Sequence, residues 1–381
     1  MAGVVGDLRP PAAVAGTAAA LNEGGRGNLR ARKLRHMALD IDALEAAARE
    51  RLDPGAYDFF ATGSGSEQTV AANREAWRRL ALLPHALRDV REVSTATTVL
   101  GTTVAFPVLA APVAVLRMAH PDGERAVAAA AAAAGTLHVV SSRTSTALGE
   151  VAAAAPRAPW WFQVYVMRDR GLTAELVARA VEAGAGALVL TGDTPRVGRK
   201  RRPGPDFDVP VEVHMPDLAR GKDLRGDARL EQDAGTSVQD VGWLAGLSGL
   251  PVIVKGVLRG DDARECLGGG AAAVIVSNHG GRQLDGAIAT ADALPEVVEA
   301  VAGEAEVYVD GGVRSGSDVL RALALGARTV LIGRPLAWAL ATGGGEGVRA
   351  LLADIAGEIE EALALAGVRS PAEVTLDLLA R

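Results

Sequence analysis

The chain has 381 residues, 49% hydrophobic and 23% charged, enough apolar mass for a sizeable core. Its net charge is −6, its pI is near 5.6, and it has no dense Lys/Arg tract, so nucleic acid and anionic membranes are not indicated as partners. A single cysteine, Cys266, rules out an intrachain disulfide framework and fits a reducing compartment, and no run is apolar enough to span a bilayer.

Residues 1–36 are rich in Ala, Gly and Arg, with Asp7 early and a Pro10-Pro11 pair. They read as a disordered extension rather than a secretion signal, with a barrel domain over 37–381 and a cytoplasmic location. Residues 40–52 have helical spacing, with Asp40 as the cap and Pro54 just past the end. The segment Tyr57-Asp58-Phe59-Phe60-Ala61-Thr62-Gly63-Ser64-Gly65 concentrates aromatics in a chain where they are scarce. It reads equally as a core plug under a glycine loop or as one wall of a pocket. Residues 96–106 read as a hairpin turning at Gly101.

A regular alternation follows. Short apolar strands are expected at Pro107–Ala111, Leu137–Ser141, Trp161–Val166, Ala187–Thr191, Pro251–Lys255, Ala273–Ser277, Glu306–Asp310 and Thr329–Gly333. Helical stretches such as Arg125–Ala134, Ala174–Ala183, Ala263–Leu267, Ala291–Val301 and Ser317–Leu325 lie between them, and Cys266 reads as a small core residue within one. Eight such repeats point to a closed (β/α)8 TIM barrel with an N-terminal helical extension. An open dinucleotide fold is disfavoured, because Pro112-Val113-Ala114 after the first strand is no glycine-rich turn. The interval Asp193–Leu250 is far longer than an ordinary connection and reads as a lid insert after strand four.

In such barrels chemistry gathers where strands end. Those ends carry Gln163 and Tyr165, Thr191 with Asp193, Lys255, His279 with Arg282, Asp310-Gly311-Gly312 with Arg314, and Gly333-Arg334. A lysine ending a buried strand is costly unless it meets an anion. The glycines and arginines after the last two strands suit a phosphate. A phosphorylated cofactor lying across the rim would use all of these groups, and flavin mononucleotide (FMN) is the natural candidate. Lys255 would then sit beside the N1/O2 edge of the ring, and Pro112, Val113 and Ala114 near N5.

Five stretches carry a family resemblance. They are Ser277-Asn278-His279-Gly280-Gly281-Arg282-Gln283-Leu284-Asp285, Asp310-Gly311-Gly312-Val313-Arg314, Ala119-His120-Pro121-Asp122-Gly123-Glu124, Gln163-Val164-Tyr165 and Thr191-Gly192-Asp193-Thr194-Pro195. From about Ile41 to Leu365 the chain resembles the FMN-dependent α-hydroxy acid oxidases and dehydrogenases. The resemblance implies FMN and conversion of a 2-hydroxy acid to a 2-oxo acid. It implies His279 as base, Arg282 on the substrate carboxylate, Tyr165 on the substrate oxygen, Asp193 orienting His279, and Lys255 supporting the flavin. Ser141, Gln163, Thr191 and Ser277 would contact the ring or ribityl chain. Asp310, Gly311, Gly312, Arg314, Gly333 and Arg334 would hold the ribityl and phosphate. An (S)-2-hydroxy acid oxidase using O2 and forming a homotetramer is expected. A dehydrogenase with another acceptor, a divergent tailoring oxidoreductase, or an isomerase on the same barrel are the alternatives.

Three positions depart from the common pattern. Phe59 replaces a tyrosine whose hydroxyl binds the carboxylate, a loss of roughly 1–3 kcal/mol if buried, and its apolar wall favours bulky or aryl side chains. Lys200 replaces an arginine and loses the two-pronged fork. Arg143 replaces a large apolar residue. With Lys200, Arg201, Arg202 and Arg282 it would give a cationic mouth for a larger or more anionic substrate than glycolate, unless Arg143, Arg201 and Arg202 simply point into water.

Overall fold

The computed structural model describes residues 40–201, 215–219, 223–224 and 226–380. The extension expected at 1–36 and the mouth residue Arg202 lie outside the described residues.

Helix α1 (Ile41–Arg51) starts at Asp40, whose carboxylate accepts from the Ala43 amide at 2.8 Å. Helix α2 (Pro54–Ala61) follows at once, with Asp53 as cap and Pro54 in the first turn, where its missing N–H costs nothing. The aromatic segment is therefore mostly helix rather than loop. Its two readings divide by face. Tyr57 stacks on Trp338 with ring centroids 5.3 Å apart, Phe59 lines a cavity, and Phe60 does both jobs at once. Helix α3 (Gln68–Arg79), which the apolar pattern did not reveal, comes next. Strands β1 (Thr97–Val99) and β2 (Thr102–Val104) pair antiparallel around Gly101, whose φ of 75° supplies the turn.

Eight parallel strands then close into a barrel: β3 (Val108–Ala110), β4 (His138–Ser141), β5 (Trp160–Val164), β6 (Leu188–Thr191), β7 (Val252–Val257), β8 (Ala273–Val276), β9 (Glu306–Asp310) and β10 (Thr329–Ile332), with β10 back against β3. All eight expected strands are present. Helices α4 (Gly123–Ala133), α5 (Leu148–Ala154) and α6 (Arg170–Glu182) cover the first crossovers. A short turn, α7 (Pro216–Ala219), and then α8 (Gln239–Ser248) precede β7. The later crossovers carry α9 (Gly260–Gly268), α10 (Thr290–Val301) and α11 (Gly316–Ala324). A long α12 (Arg334–Ala366) bends at Gly344, where φ is 58°. Because α8 is the ordinary barrel helix before β7, the insert after β6 is shorter than the sequence suggested. Its described part is packed: the Leu148 amide donates to Asp217 at 2.9 Å, and Met167 bridges to Gln232. Cys266 sits half-buried on α9, and burial pushes its thiol up to about 11, so it is no core residue but is unreactive at neutral pH. None of the described helices is long and apolar enough to cross a membrane.

The barrel interior explains where the site lies. Leu109, Val139, Trp161, Val189, Ile253, Ile275, Tyr308 and Leu331 form the core layer, closed below by Val99 and Val104 of the hairpin. Side chains alternate along a strand, so the next inward residue is two further on. Those residues are Ala111, Ser141, Gln163, Thr191, Lys255, Ser277, Asp310 and Gly333. Each strand's inward row thus turns from large and apolar to polar or small in one step.

Glycines seat helix α3 against this rim. Gly312 has φ 85°, and a Cβ there would lie 2.3 Å from the Asn73 carbonyl oxygen. Gly312→Ala is expected to cost roughly 1–3 kcal/mol through strain and displacement of α3. A urea unfolding midpoint unchanged from wild type would contradict this.

Candidate active site

The strand ends surround a cavity of about 260 Å³. That is room for about twenty waters by the same measure, the scale of a ring cofactor with a small acid. Phe59, Pro112, Val113, Ala114, Ser141, Arg143, Gln163, Tyr165, Thr191, Lys200, Lys255, His279, Arg282, Asp310, Gly311, Gly312, Arg314, Gly333 and Arg334 all line it. Asp193 and Ser277 do not; each stands behind a lining residue.

His279 follows β8 with φ 57°, and Gly280 and Gly281 continue in the left-handed region at 63° and 76°. A histidine seldom adopts this backbone, and such strain collects where a side chain must be aimed. The turn is held by Asn278, whose carboxamide makes reciprocal hydrogen bonds of 2.7 and 2.8 Å with that of Asn73 on α3. His279 Nδ1 lies 3.0 Å from Asp193 Oδ1, and Nε2 lies 3.4 Å from the Tyr165 hydroxyl. Burial opposes ionisation of Asp193, but His279, Lys255 and the Thr194 hydroxyl outweigh it and hold the carboxyl below its ordinary range. An ionised Asp193 accepts from Nδ1–H, which leaves the Nε2 lone pair facing the cavity. Gly256 makes the arrangement possible. It has φ 107°, and a Cβ there would meet the Asp193 side chain at 2.6 Å.

Lys255 is buried at the end of β7's inward row. Its ammonium lies 2.8 Å from Asp310 Oδ2 and donates to the Ser277 hydroxyl at 2.6 Å. Burial works against the charge, yet Asp310 and Asp193 hold the ammonium above its ordinary range, so Lys255 is cationic. The anion that the sequence required is thus the chain's own Asp310. Ser277, expected on the cofactor, is fully buried and instead accepts from Lys255 and from the His279 amide, so it positions both.

Arg282 donates through Nη1 to the Thr62 and Phe60 carbonyls at 2.7 and 3.3 Å, and its guanidinium lies 5.8 Å from the Phe59 ring centroid. Lys200 donates to the Arg282 carbonyl. Burial, with Arg282 and Arg334 nearby, pulls the Lys200 ammonium from its ordinary 10.5 to about 7. Arg143 does not point into water: it is anchored on the Leu230 carbonyl and the Met215 sulfur and faces the cavity. Arg201 is the exposed one, donating to the Ser66 carbonyl at 2.7 Å.

Two more buried guanidinia line the cavity. Arg334 donates to the Phe60 and Gly280 carbonyls at 3.2 and 2.9 Å, and Arg314 to the Val313 carbonyl at 2.8 Å. Burial and their closeness to other arginines bring both down to about 10. Arg314 Nε and Arg334 Nη2 are buried without a partner, and among the described residues neither arginine meets a carboxylate. Beside them Gly311 and Gly312 are left-handed at 92° and 85°. Trp77 Nε1 on α3 holds the Gly311 carbonyl at 2.8 Å. The cavity also carries a polar strip: Ser141 Oγ donates to Gln163 Oε1 at 3.1 Å, and Gln163 Nε2 donates to Thr191 Oγ1 at 2.9 Å.

The buried Glu124 of the Ala119–Glu124 motif has a supporting task. It accepts from the Leu116 amide at 3.2 Å, the Ser145 amide at 2.8 Å and the Thr146 hydroxyl at 2.7 Å, tying the loop after β3 to the loop after β4. Sequence reading passed over Asn73, Trp77 and Gly256, and also Gln232 and Val197 of the cavity wall. Only Asn73 and Trp77 had a signal, a helical period weakened by charge.

A parallel barrel with this rim defines a class of cofactor enzyme, and the profile of the FMN-dependent dehydrogenases matches residues 48–381. The chain belongs to that family, the FMN-dependent α-hydroxy acid oxidases. It is 43% identical over 344 residues to L-lactate oxidase from Nostoc sp., covering 86% of this chain and 94% of that one. It is 44% identical over 342 residues to glycolate oxidase 1 from Zea mays (87% and 92% covered). To 4-hydroxymandelate oxidase from Amycolatopsis orientalis it is 42% identical over 339 residues (86% and 94%). A solved mandelate oxidase with benzoyl-formic acid superposes with a TM-score of 0.82 at 42% identity, covering 89% of this chain and 97% of that one.

The residues fit FMN. Two unpartnered guanidinium N–H groups beside paired left-handed glycines suit a phosphate dianion. The strip Ser141–Gln163–Thr191 offers donors and acceptors to a ring edge, and Lys255 brings a fixed positive charge to the cavity floor.

Proposed function

We propose that the protein is an (S)-2-hydroxy acid oxidase, converting a substrate bulkier than glycolate to its 2-oxo acid with O2 reduced to H2O2. FMN, when bound, would supply the two-electron redox chemistry that links hydroxy acid to O2. The observation that carries this reading is His279, with Asp193 at 3.0 Å behind it and Tyr165 at 3.4 Å beside it, sharing one loop with Arg282. The Nε2 lone pair of His279 takes a proton from the substrate, and Asp193 stabilises the imidazolium that forms. Arg282 holds the substrate carboxylate, with its Nη1 already fixed on backbone carbonyls so that little freedom is lost on binding. Tyr165 donates to the substrate oxygen. Lys255 stabilises negative charge developing beside the Ser141–Gln163–Thr191 strip. Arg314, Arg334 and the backbone of Gly311, Gly312 and Gly333 hold the phosphate end.

Phe59 gives the substrate pocket an apolar wall that has no hydroxyl to offer, which supports an aryl or bulky aliphatic side chain. The test is anaerobic bleaching of the FMN-loaded protein by (S)-mandelate, lactate and glycolate, followed by peroxide assay in air. Bleaching strongest with mandelate and one peroxide per oxo acid are expected. Bleaching without peroxide, rescued by a quinone, would make the protein a dehydrogenase. No bleaching by any hydroxy acid would end the proposal.

Lys200 provides a second carboxylate contact that titrates. Below about pH 7 its ammonium is charged; above, it is neutral. The kcat/KM for a monoanionic acid, which reports the free enzyme, therefore falls as pH rises through that value. The expected fall is about tenfold, the effect of losing one charge-assisted hydrogen bond. In Lys200→Arg the alkaline fall should vanish, because the guanidinium stays charged. A wild-type profile flat across that range would refute the assignment.

A further inference from the structure

We infer that Arg143 is a specificity-determining residue that binds a second anionic group at the far end of the substrate's side chain. The inference rests on the oxidase reading above and sharpens it to a class: 2-hydroxy acids whose side chain ends in a carboxylate.

The charges of the cavity wall lead to this. Among the described residues six cationic side chains line it (Arg143, Lys200, Lys255, Arg282, Arg314 and Arg334) against one carboxylate, Asp310. Asp310 is committed to Lys255 at 2.8 Å. Arg314 and Arg334 lie at the glycine end and answer to a phosphate. Arg282 and Lys200, joined through the Arg282 carbonyl, answer to the carboxylate next to the reacting carbon. Arg143 is left over. Among the described residues its side-chain partners are a backbone carbonyl, that of Leu230, and the Met215 thioether, neither of which carries charge.

Its place in the fold gives it a partner. Arg143 sits on the loop after β4, one strand from Tyr165, which follows β5. Tyr165 lies 3.4 Å from the histidine Nε2, and Tyr165, Arg143 and Gln232 share the cavity wall, with Arg143 near enough to Tyr165 to act on it electrostatically. A substrate held by Arg282 at one end and stripped of a proton at Nε2 directs its side chain along this wall or toward Phe59. An aromatic or apolar spacer fills the space by Phe59, and a terminal carboxylate meets the guanidinium. The Glu124 network fixes the same loop through the Ser145 amide and hydroxyl, so the Arg143 backbone is preorganised. A guanidinium buried with neutral partners retains strong attraction for an anion, because little water competes.

The decisive comparison is between 4-carboxymandelate and 4-carbamoylmandelate, which share a shape and differ by one charge. Anaerobic flavin reduction of the holoenzyme is followed with each, and with mandelate as reference. Wild type is expected to saturate at about tenfold or more lower concentration of the acid than of the amide, with similar limiting rates. In Arg143→Met the half-saturating concentration for the acid should rise about a hundredfold while that for the amide and mandelate stays near wild type. Arg143→Lys should fall between, keeping the charge and losing the fork. Equal losses on acid and amide would make Arg143 only a tie to Leu230 and overturn the proposal. So would a wild type indifferent to the distal charge, a result that decides the matter even if Arg143→Met fails to fold. Absence of bleaching by mandelate itself would instead overturn the underlying oxidase reading.

Discussion

His279→Asn is expected to slow reduction of bound FMN by a hydroxy acid by roughly 10²–10⁴-fold, the range for loss of a positioned general base. Asparagine is chosen because the site is left-handed, with φ 57°, and asparagine tolerates that region better than most residues. FMN content and unfolding midpoint should therefore stay near wild type while the rate collapses. The companion variant, Asp193→Asn, separates chemistry from shape. Asp193 Oδ1 lies 3.0 Å from Nδ1 and is held ionised by His279 and Lys255 against the cost of burial. A neutral amide there can donate its N–H to Nδ1, which puts the imidazole proton on Nε2 and removes the lone pair from the cavity. Asp193→Asn should thus approach the His279→Asn rate, and the double variant should be no worse than the slower single one, since the two groups act as a unit. Additive losses would show that Asp193 acts elsewhere.

How far the sequence already held this picture depends on period. Each barrel strand could be read because an inward residue recurs at every second position, and buried parallel strands are apolar on both faces. The same period carried the rim: Lys255 two after Ile253, Thr191 two after Val189, Asp310 two after Tyr308. What could not be read depends on contacts across the chain. Lys255 demanded an anion, and only the closed barrel reveals it as Asp310, two strands away. Ser277 looks like a cavity residue in sequence but hydrogen-bonds Lys255 and the His279 amide from behind. The aromatic run around Phe59 was ambiguous because its neighbours Gly63 and Gly65 suggested a loop, whereas Asp53 and Pro54 start a helix that divides Tyr57 and Phe59 between core and cavity. Helix α3 was missed because charged residues dilute its apolar face, yet it holds Asn73 and Trp77 against both functional loops.

Lys255→Met is expected to lower stability by about 3–5 kcal/mol and to slow flavin reduction by about 10²–10³-fold, and the two effects have separable causes. The stability loss comes from Asp310. Its carboxylate is buried 2.8 Å from the ammonium, and its second oxygen, Oδ1, already has no partner. Removing the lysine leaves an uncompensated charge in a cavity floor whose neighbours, Leu331 and Tyr308, cannot solvate it. Lys255→Met/Asp310→Leu should recover most of the stability, because replacing both members of a buried pair removes both desolvation costs. It should not recover the rate, since the ammonium beside the Thr191 end of the strip is gone and cannot meet negative charge as it develops. Bound flavin in both variants should also be harder to reduce, which a redox titration against dyes of known potential measures independently of turnover. Recovery of rate together with stability in the double variant would mean that the ion pair only shapes the floor, and that the charge of Lys255 contributes nothing to the reaction.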